Sequence, residues 1–146
     1  MNIELRGMDE LRKRMGALQG DMREIMSTAL VAGANQLEGY VKVNIRDRGL
    51  VDTANLMNSW SVEREDMRAV LYTPVVHAAI HEYGGVIKAH GGGFLTFQTK
   101  DGTWHRVRSV NMPARPYLRP AVDEHEEEIM QSVRVNFERL VLERLR

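Results

Sequence analysis

The stretch "MDELRKRMGALQGDMREIMSTALVAGANQLEGYVKVNI", residues 8 to 45, decides the fold. Met8, Leu11, Met15, Leu18, Met22, Ile25, Ala29, Ala32, Tyr40 and Val43 recur at helical spacing. Gln36 is the one miss, and Leu30, Leu37 and Val41 widen the stripe. At ~1.5 Å per residue a single unbroken helix of this length reaches about 60 Å, more than the diameter of a small domain. Either the helix breaks or part of it projects. Gly16, Gly20, Gly33 and Gly39 are the candidate breaks, each less favourable in a helix than alanine by roughly 1 kcal/mol. A helix carrying four of them must be held by packing, within the chain or between chains. The methionines along it read as adaptable apolar filler rather than a cofactor box.

Beyond residue 46 the pattern changes. "LMNSWSVERE" (56 to 65) and "MRAVLYTPVV" (67 to 76) carry short β-prone runs, which predicts two strands interrupted by the polar residues Glu63 to Asp66. Asp52, Thr53 and Asn55 are turn or capping residues ahead of Leu56. A second pair, "GFLTFQT" and "TWHRVRSV", is joined through Lys100, Asp101 and Gly102, and Asp-Gly is a good hairpin signal. The five glycines in residues 84 to 93 predict a flexible loop between the pairs. From Pro120 onward, Val122, Ile129, Met130, Val133, Phe137, Leu140, Val141 and Leu145 again share a helical face, with acids in front and Arg139, Arg144 and Arg146 behind, as the helix dipole favours. The expected class is α+β: a long N-terminal helix, a small antiparallel sheet of about four strands with an extended hairpin, and a C-terminal helix. One domain covers 1–146, with a helical segment at 1–46, the sheet at 50–112 and a proline strap with the last helix at 113–146.

Composition excludes several classes of chemistry. There are no cysteines, so disulfides, thiolate metal sites and thiol nucleophiles are absent. The 20 basic and 20 acidic side chains cancel, leaving no overall field for nucleic acid or an anionic membrane. No segment approaches the ~20 apolar residues of a membrane span, and the chain reads as unprocessed. Charge is nevertheless uneven. Lys100, Arg106, Arg108, Arg115 and Arg119 against Asp101 give residues 100 to 119 a formal +4, whereas Asp123, Glu124, Glu126, Glu127 and Glu128 give the next nine a formal −5. Opposite blocks of this kind pair within a fold or between subunits, where they fix register.

Three constellations invite chemistry. His77 and His81 lie four apart in "HAAIHEYGG" (77 to 85), followed by Glu82, and one helical turn would put both imidazoles on one face. In a metalloprotease helix the glutamate directly follows the first histidine; here Ala78, Ala79 and Ile80 fill the gap and the match fails. A metal site using these two with His90 is the remaining option, and a metal-dependent hydrolase on His77, His81 and Glu82 is the enzymatic alternative. "GGVIKAHGGG" lacks the lysine and hydroxyl residue of a P-loop. In "MPARPYLRPA" (112 to 121), Pro113, Pro116 and Pro120 stiffen a strap that presents Tyr117 and Leu118 as apolar anchors.

"DTANLMNSW" (52 to 60), "HAAIHEYGG" and "PARPYLRPAVDE" (113 to 124), in that order, resemble the tailed-phage neck and tail-completion proteins, also called head-tail joining or minor tail components. The matching positions are Leu56, Asn58 and Ser59 in the first motif, Tyr83 and Gly84 in the second, and Arg115, Pro116, Tyr117, Leu118, Arg119, Pro120 and Ala121 in the third. "AAIH", the aromatic-Gly-Gly step and "PARP" are also similar to the phage virion morphogenesis proteins. The chain departs from the neck pattern at Ala54, where glycine is common, and in the hairpin of residues 94 to 108. The resemblance implies a non-enzymatic virion protein without cofactor, a homo-oligomer closing into a hexameric ring at the head-tail junction. Its implied neighbours are a head-closure or connector protein and a tail-terminator or tail-tube protein, with non-specific proximity to DNA in the channel. Its implied place is the virion, and the host cytoplasm during assembly.

Overall fold

The computed structural model describes residues 8–50 and 55–146. Asp52, Thr53 and Ala54, and with them the start of the first motif, lie outside the described residues. The first helix, α1 (Met8–Asp47), runs 40 residues without interruption. None of the four glycines breaks it. Gly16, Gly20 and Gly39 face open space, and Gly33 lies on the packed side.

α2 (Asn55–Asn58) is one turn that buries Leu56. The hairpin β1 (Ser61–Glu65) and β2 (Arg68–Tyr72) follows, paired antiparallel with Glu65 opposite Arg68. The polar run Glu63 to Glu65 therefore belongs to the strand, and the turn is only Asp66 and Met67. Met67 adopts a left-handed φ of 55°, and its N–H is taken by the buried Ser27 hydroxyl of α1 at 2.9 Å. Arg23 reaches Asp66 at 2.7 Å beside it. An isolated two-stranded hairpin is marginal in water, and docking onto a long helix supplies the missing surface.

α3 (Ala78–Tyr83) leads into β3 (Gly85–Lys88). Here the structure corrects the sequence: much of 84–93 is not a loop, because β3 pairs with β6 (Ser109–Met112), and His90–Gly92 forms a single 3-10 turn. Glycine content concealed the "GVIK" strand, whose partner lies more than twenty residues away in sequence. β4 (Leu95–Gln98) and β5 (Trp104–Val107) form the expected hairpin. Among the described residues the six strands thus make three separate antiparallel ribbons rather than one sheet of four.

α4 (Leu118–Leu145) returns antiparallel along α1, with a non-helical step at His125 (φ −123°). The His125 ring stacks on Tyr40 at 3.7 Å between centroids, so the irregular residue sits where the two helices meet. Further along, Gly33 meets Val133 and Ile129, and Arg144 reaches Asp21 at 3.0 Å. The core gathers Val41, Ile45, Leu50, Leu56, Trp60, Ala78, Tyr117 and Ala121. Of the predicted stripes, Val43, Val122, Met130 and Leu145 face outward instead, because 3.6-residue periodicity fixes a face only to within a residue either side.

One substitution should act in opposite directions at two positions on α1. A Cβ at Gly33 would stand 2.5 Å from the Val133 Cγ2 methyl, whereas at Gly39 nothing lies within 4 Å. Urea unfolding should show Gly33→Ala destabilised by roughly 1–3 kcal/mol through overpacking, and Gly39→Ala stabilised by up to about 1 kcal/mol.

Candidate functional site

α4 begins without a capping residue of its own. Tyr117 occupies the N-cap position and its side chain caps nothing, so the first backbone N–H groups must find a partner elsewhere. That partner is Glu82, in the last turn of α3. Its Oε2 accepts from the Tyr117 N–H at 2.7 Å and the Leu118 N–H at 2.9 Å, and its Oε1 accepts from the Arg119 N–H at 2.9 Å. The next residue is Pro120, which has no N–H to satisfy. One carboxylate and one proline therefore account for every free donor at the helix start. Glu82 is only 6% exposed, and its charge is tolerated there because three charge-assisted hydrogen bonds and the positive end of the helix dipole surround it.

The rest of the clasp follows from this anchor. The Tyr117 hydroxyl donates to the Ala78 carbonyl at 3.0 Å, its ring meets Trp60 edge-on at 6.1 Å, and Asn44 of α1 donates to its carbonyl at 3.0 Å. The Arg115 N–H donates to the His81 carbonyl at 2.7 Å. Burial, then the nearby Glu82 and Tyr83, push the Tyr117 hydroxyl up to about 12. Gly84 closes α3 with φ +70°, and a Cβ there would stand 2.8 Å from the Ala114 backbone nitrogen. The second and third sequence motifs are thus two halves of one joint. The first motif contributes Leu56 to the same core, and Ser59 ties α2 to Thr73 after β2 at 2.6 Å.

Other predicted residues stand apart. Asn58 is exposed, Tyr83 is 75% exposed, and the Arg115 and Arg119 side chains face outward. Pro116, Leu118 and Pro120 are half-buried around Tyr117, and Ala121 is fully buried. Glu82 lies inside the second motif but is not one of its matching positions, and Asn44 lies outside all three motifs. The signal that reveals Glu82 is an absence: a helix starting "PYLRPA" has no Ser, Thr, Asp or Asn at its cap, so a carboxylate must come from another element.

His77 and His81 do share a face, with ring centroids 5.6 Å apart. They line a cleft of about 370 Å³ together with Lys100 and Arg115, two cations where a metal site would want a carboxylate. Partial burial, followed by the fields of His77 and Arg115, lowers the His81 pKa and keeps its ring neutral at pH 7. Glu82, the acid of the hydrolase alternative, turns away into the start of α4. Among the described residues no three His, Asp or Glu side chains gather as a metal site, and His90 does not join the pair. Among the described residues no helix is long and apolar enough to cross a membrane.

Removing the cap or the phenol should have separable effects. Glu82→Ala should cost about 2–4 kcal/mol in urea unfolding and Glu82→Gln roughly half of that, since the amide oxygen still accepts. Tyr117 holds its proton more tightly folded than unfolded, so its contribution is complete below pH 10 and is lost as pH rises toward 12. Across that window wild type should lose up to about 3 kcal/mol more stability than Tyr117→Phe.

Residues 34–138, from the middle of α1 to late α4, match the family described as the phage virion morphogenesis family. Mu-like prophage FluMu G protein 2 of Haemophilus influenzae is 32% identical over 126 residues, covering 82% of this chain and 78% of that protein. No solved structure matches the chain.

Proposed function

The chain belongs to the phage virion morphogenesis family and serves in building the virus particle, and on that premise we propose that it is a neck or tail-completion subunit. In this reading it assembles as a homo-oligomeric, hexameric ring at the head-tail junction, between a head-closure or connector protein and a tail-terminator or tail-tube protein. Its role there is structural rather than catalytic. What supports the reading most is the free end of α1. Arg144 at the end of α4 lies opposite Asp21, so among the described residues the turns of α1 before that point extend alone for about 20 Å. Residues 9–17 are all exposed, and Leu11 and Met15 expose 51% and 61% of their surface.

A projecting helix that exposes large apolar side chains such as Leu11 and Met15 is unfavourable in an isolated subunit and useful in a ring, where it lies against a neighbour. The joint between α3 and α4 gives the rigid body from which it projects. Two measurements check the proposal. Light scattering on the purified chain should give a ring-sized mass, and phage produced without the protein should accumulate full heads beside unattached tails. Normal particles in its absence, or a chain missing from finished virions when these are analysed by mass spectrometry, would assign it a different step of assembly.

A further inference from the structure

The hairpin β4–β5 has two unlike faces. Its register sets Thr96 opposite Arg106 and Gln98 opposite Trp104, and strand alternation adds Phe94 and Arg108 to the same side. On this side the Arg106 guanidinium lies 4.3 Å and that of Arg108 5.7 Å from the Phe94 ring centroid. Trp104 beside them is 68% exposed. Among the described residues no carboxylate pairs with either arginine. The other side carries Leu95 and Phe97, which line an apolar cleft with Ile87, Val110 and Met112 of the β3–β6 ribbon. The hairpin is thus anchored by one face and presents an aromatic, doubly cationic surface with the other.

The complementary surface is on the same chain. Between α1 and α4 an open groove of about 640 Å³ is bordered by Glu127 and Glu128, with Val135, 49% exposed, among its lining residues. Glu128 accepts from the Tyr40 hydroxyl, which lowers its pKa and keeps it ionised. Glu127 has no cationic partner among the described residues. Between the two charge blocks that the sequence sets side by side, Arg119 pairs with Asp123 at 3.7 Å within the chain, whereas Arg106, Arg108 and Glu127 find no opposite charge among the described residues.

We propose that the hairpin of one copy docks in the α1–α4 groove of the next, with Trp104 over Val135 and Arg106 and Arg108 against Glu127 and Glu128. The contact is heterologous, each copy offering hairpin to one neighbour and groove to the other, which is the arrangement that closes rings. This inference rests on the ring reading above and names the surfaces that would build it. A second copy is a better occupant than nucleic acid, because a chain with 20 bases and 20 acids has no net field to recruit a polyanion. Two patches of one chain, by contrast, meet whenever two copies do.

Charge reversal on both sides tests it. Arg106→Glu with Arg108→Glu should weaken self-association roughly tenfold or more by light scattering, and Glu127→Arg should do the same. Combining Arg106→Glu with Glu127→Arg in one chain should restore it. Circular dichroism verifies that each variant is folded, and Glu127→Arg avoids disturbing the Tyr40–Glu128 bond. An oligomer whose mass ignores the arginine reversals, with no rescue by the swap, would place the contact elsewhere while leaving the ring reading intact. A wild-type chain that is monomeric at every concentration would overturn both. Salt-dependent binding of duplex DNA that is lost in the arginine variants, with oligomer mass unchanged, would assign the hairpin to nucleic acid and also overturn the inference.

Discussion

A buried carboxylate at the start of a helix holds this molecule together. Taking Glu82 out of water costs several kcal/mol, and that cost is offset only where its oxygens find donors in good geometry. The start of α4 supplies three backbone N–H groups, and Pro120 removes the fourth donor that would otherwise compete. Because Glu82 belongs to α3 and the donors belong to α4, this local capping arrangement is also a long-range constraint. It fixes where α4 begins, puts Tyr117 under Trp60 and brings Asn44 of α1 onto the Tyr117 carbonyl. Breaking the cap would leave a charge or several donors unpaired inside the core.

α1 provides the length against which the smaller pieces are set. Each two-stranded ribbon has little surface of its own to bury. The first is tied to α1 by Ser27 and by the Arg23–Asp66 pair, and the second is joined in sequence to both sides of the clasp. The third leans on the second through one apolar face. The architecture is a helical pair with ribbons attached at intervals, which leaves aromatic and charged surface outside the core. For a protein that builds virus particles, such exposed surface suits contact with other chains. The stability that permits it is concentrated in the clasp and the α1–α4 seam.

Sequence alone determined the helical pair, because apolar spacing over 38 residues and again over the last 27 leaves no other regular structure that buries one face. It determined the β4–β5 hairpin through Asp101-Gly102, and pointed to the virion morphogenesis family through "AAIH", the aromatic-Gly-Gly step and "PARP". It also showed no cysteine and no run of ~20 apolar residues. Tertiary structure alone decided the rest, because those features depend on partners distant in sequence. "GVIK" became a strand because Ser109–Met112 lies beside it, and Gly33 met Val133 because the helices cross there. The histidine pair lost its carboxylate for the same reason: Glu82 had a stronger electrostatic claim on it from a helix start thirty-five residues away. Periodicity reports the free energy of burying a face, and it is local. Which polar group satisfies which is settled only when the chain has folded back on itself.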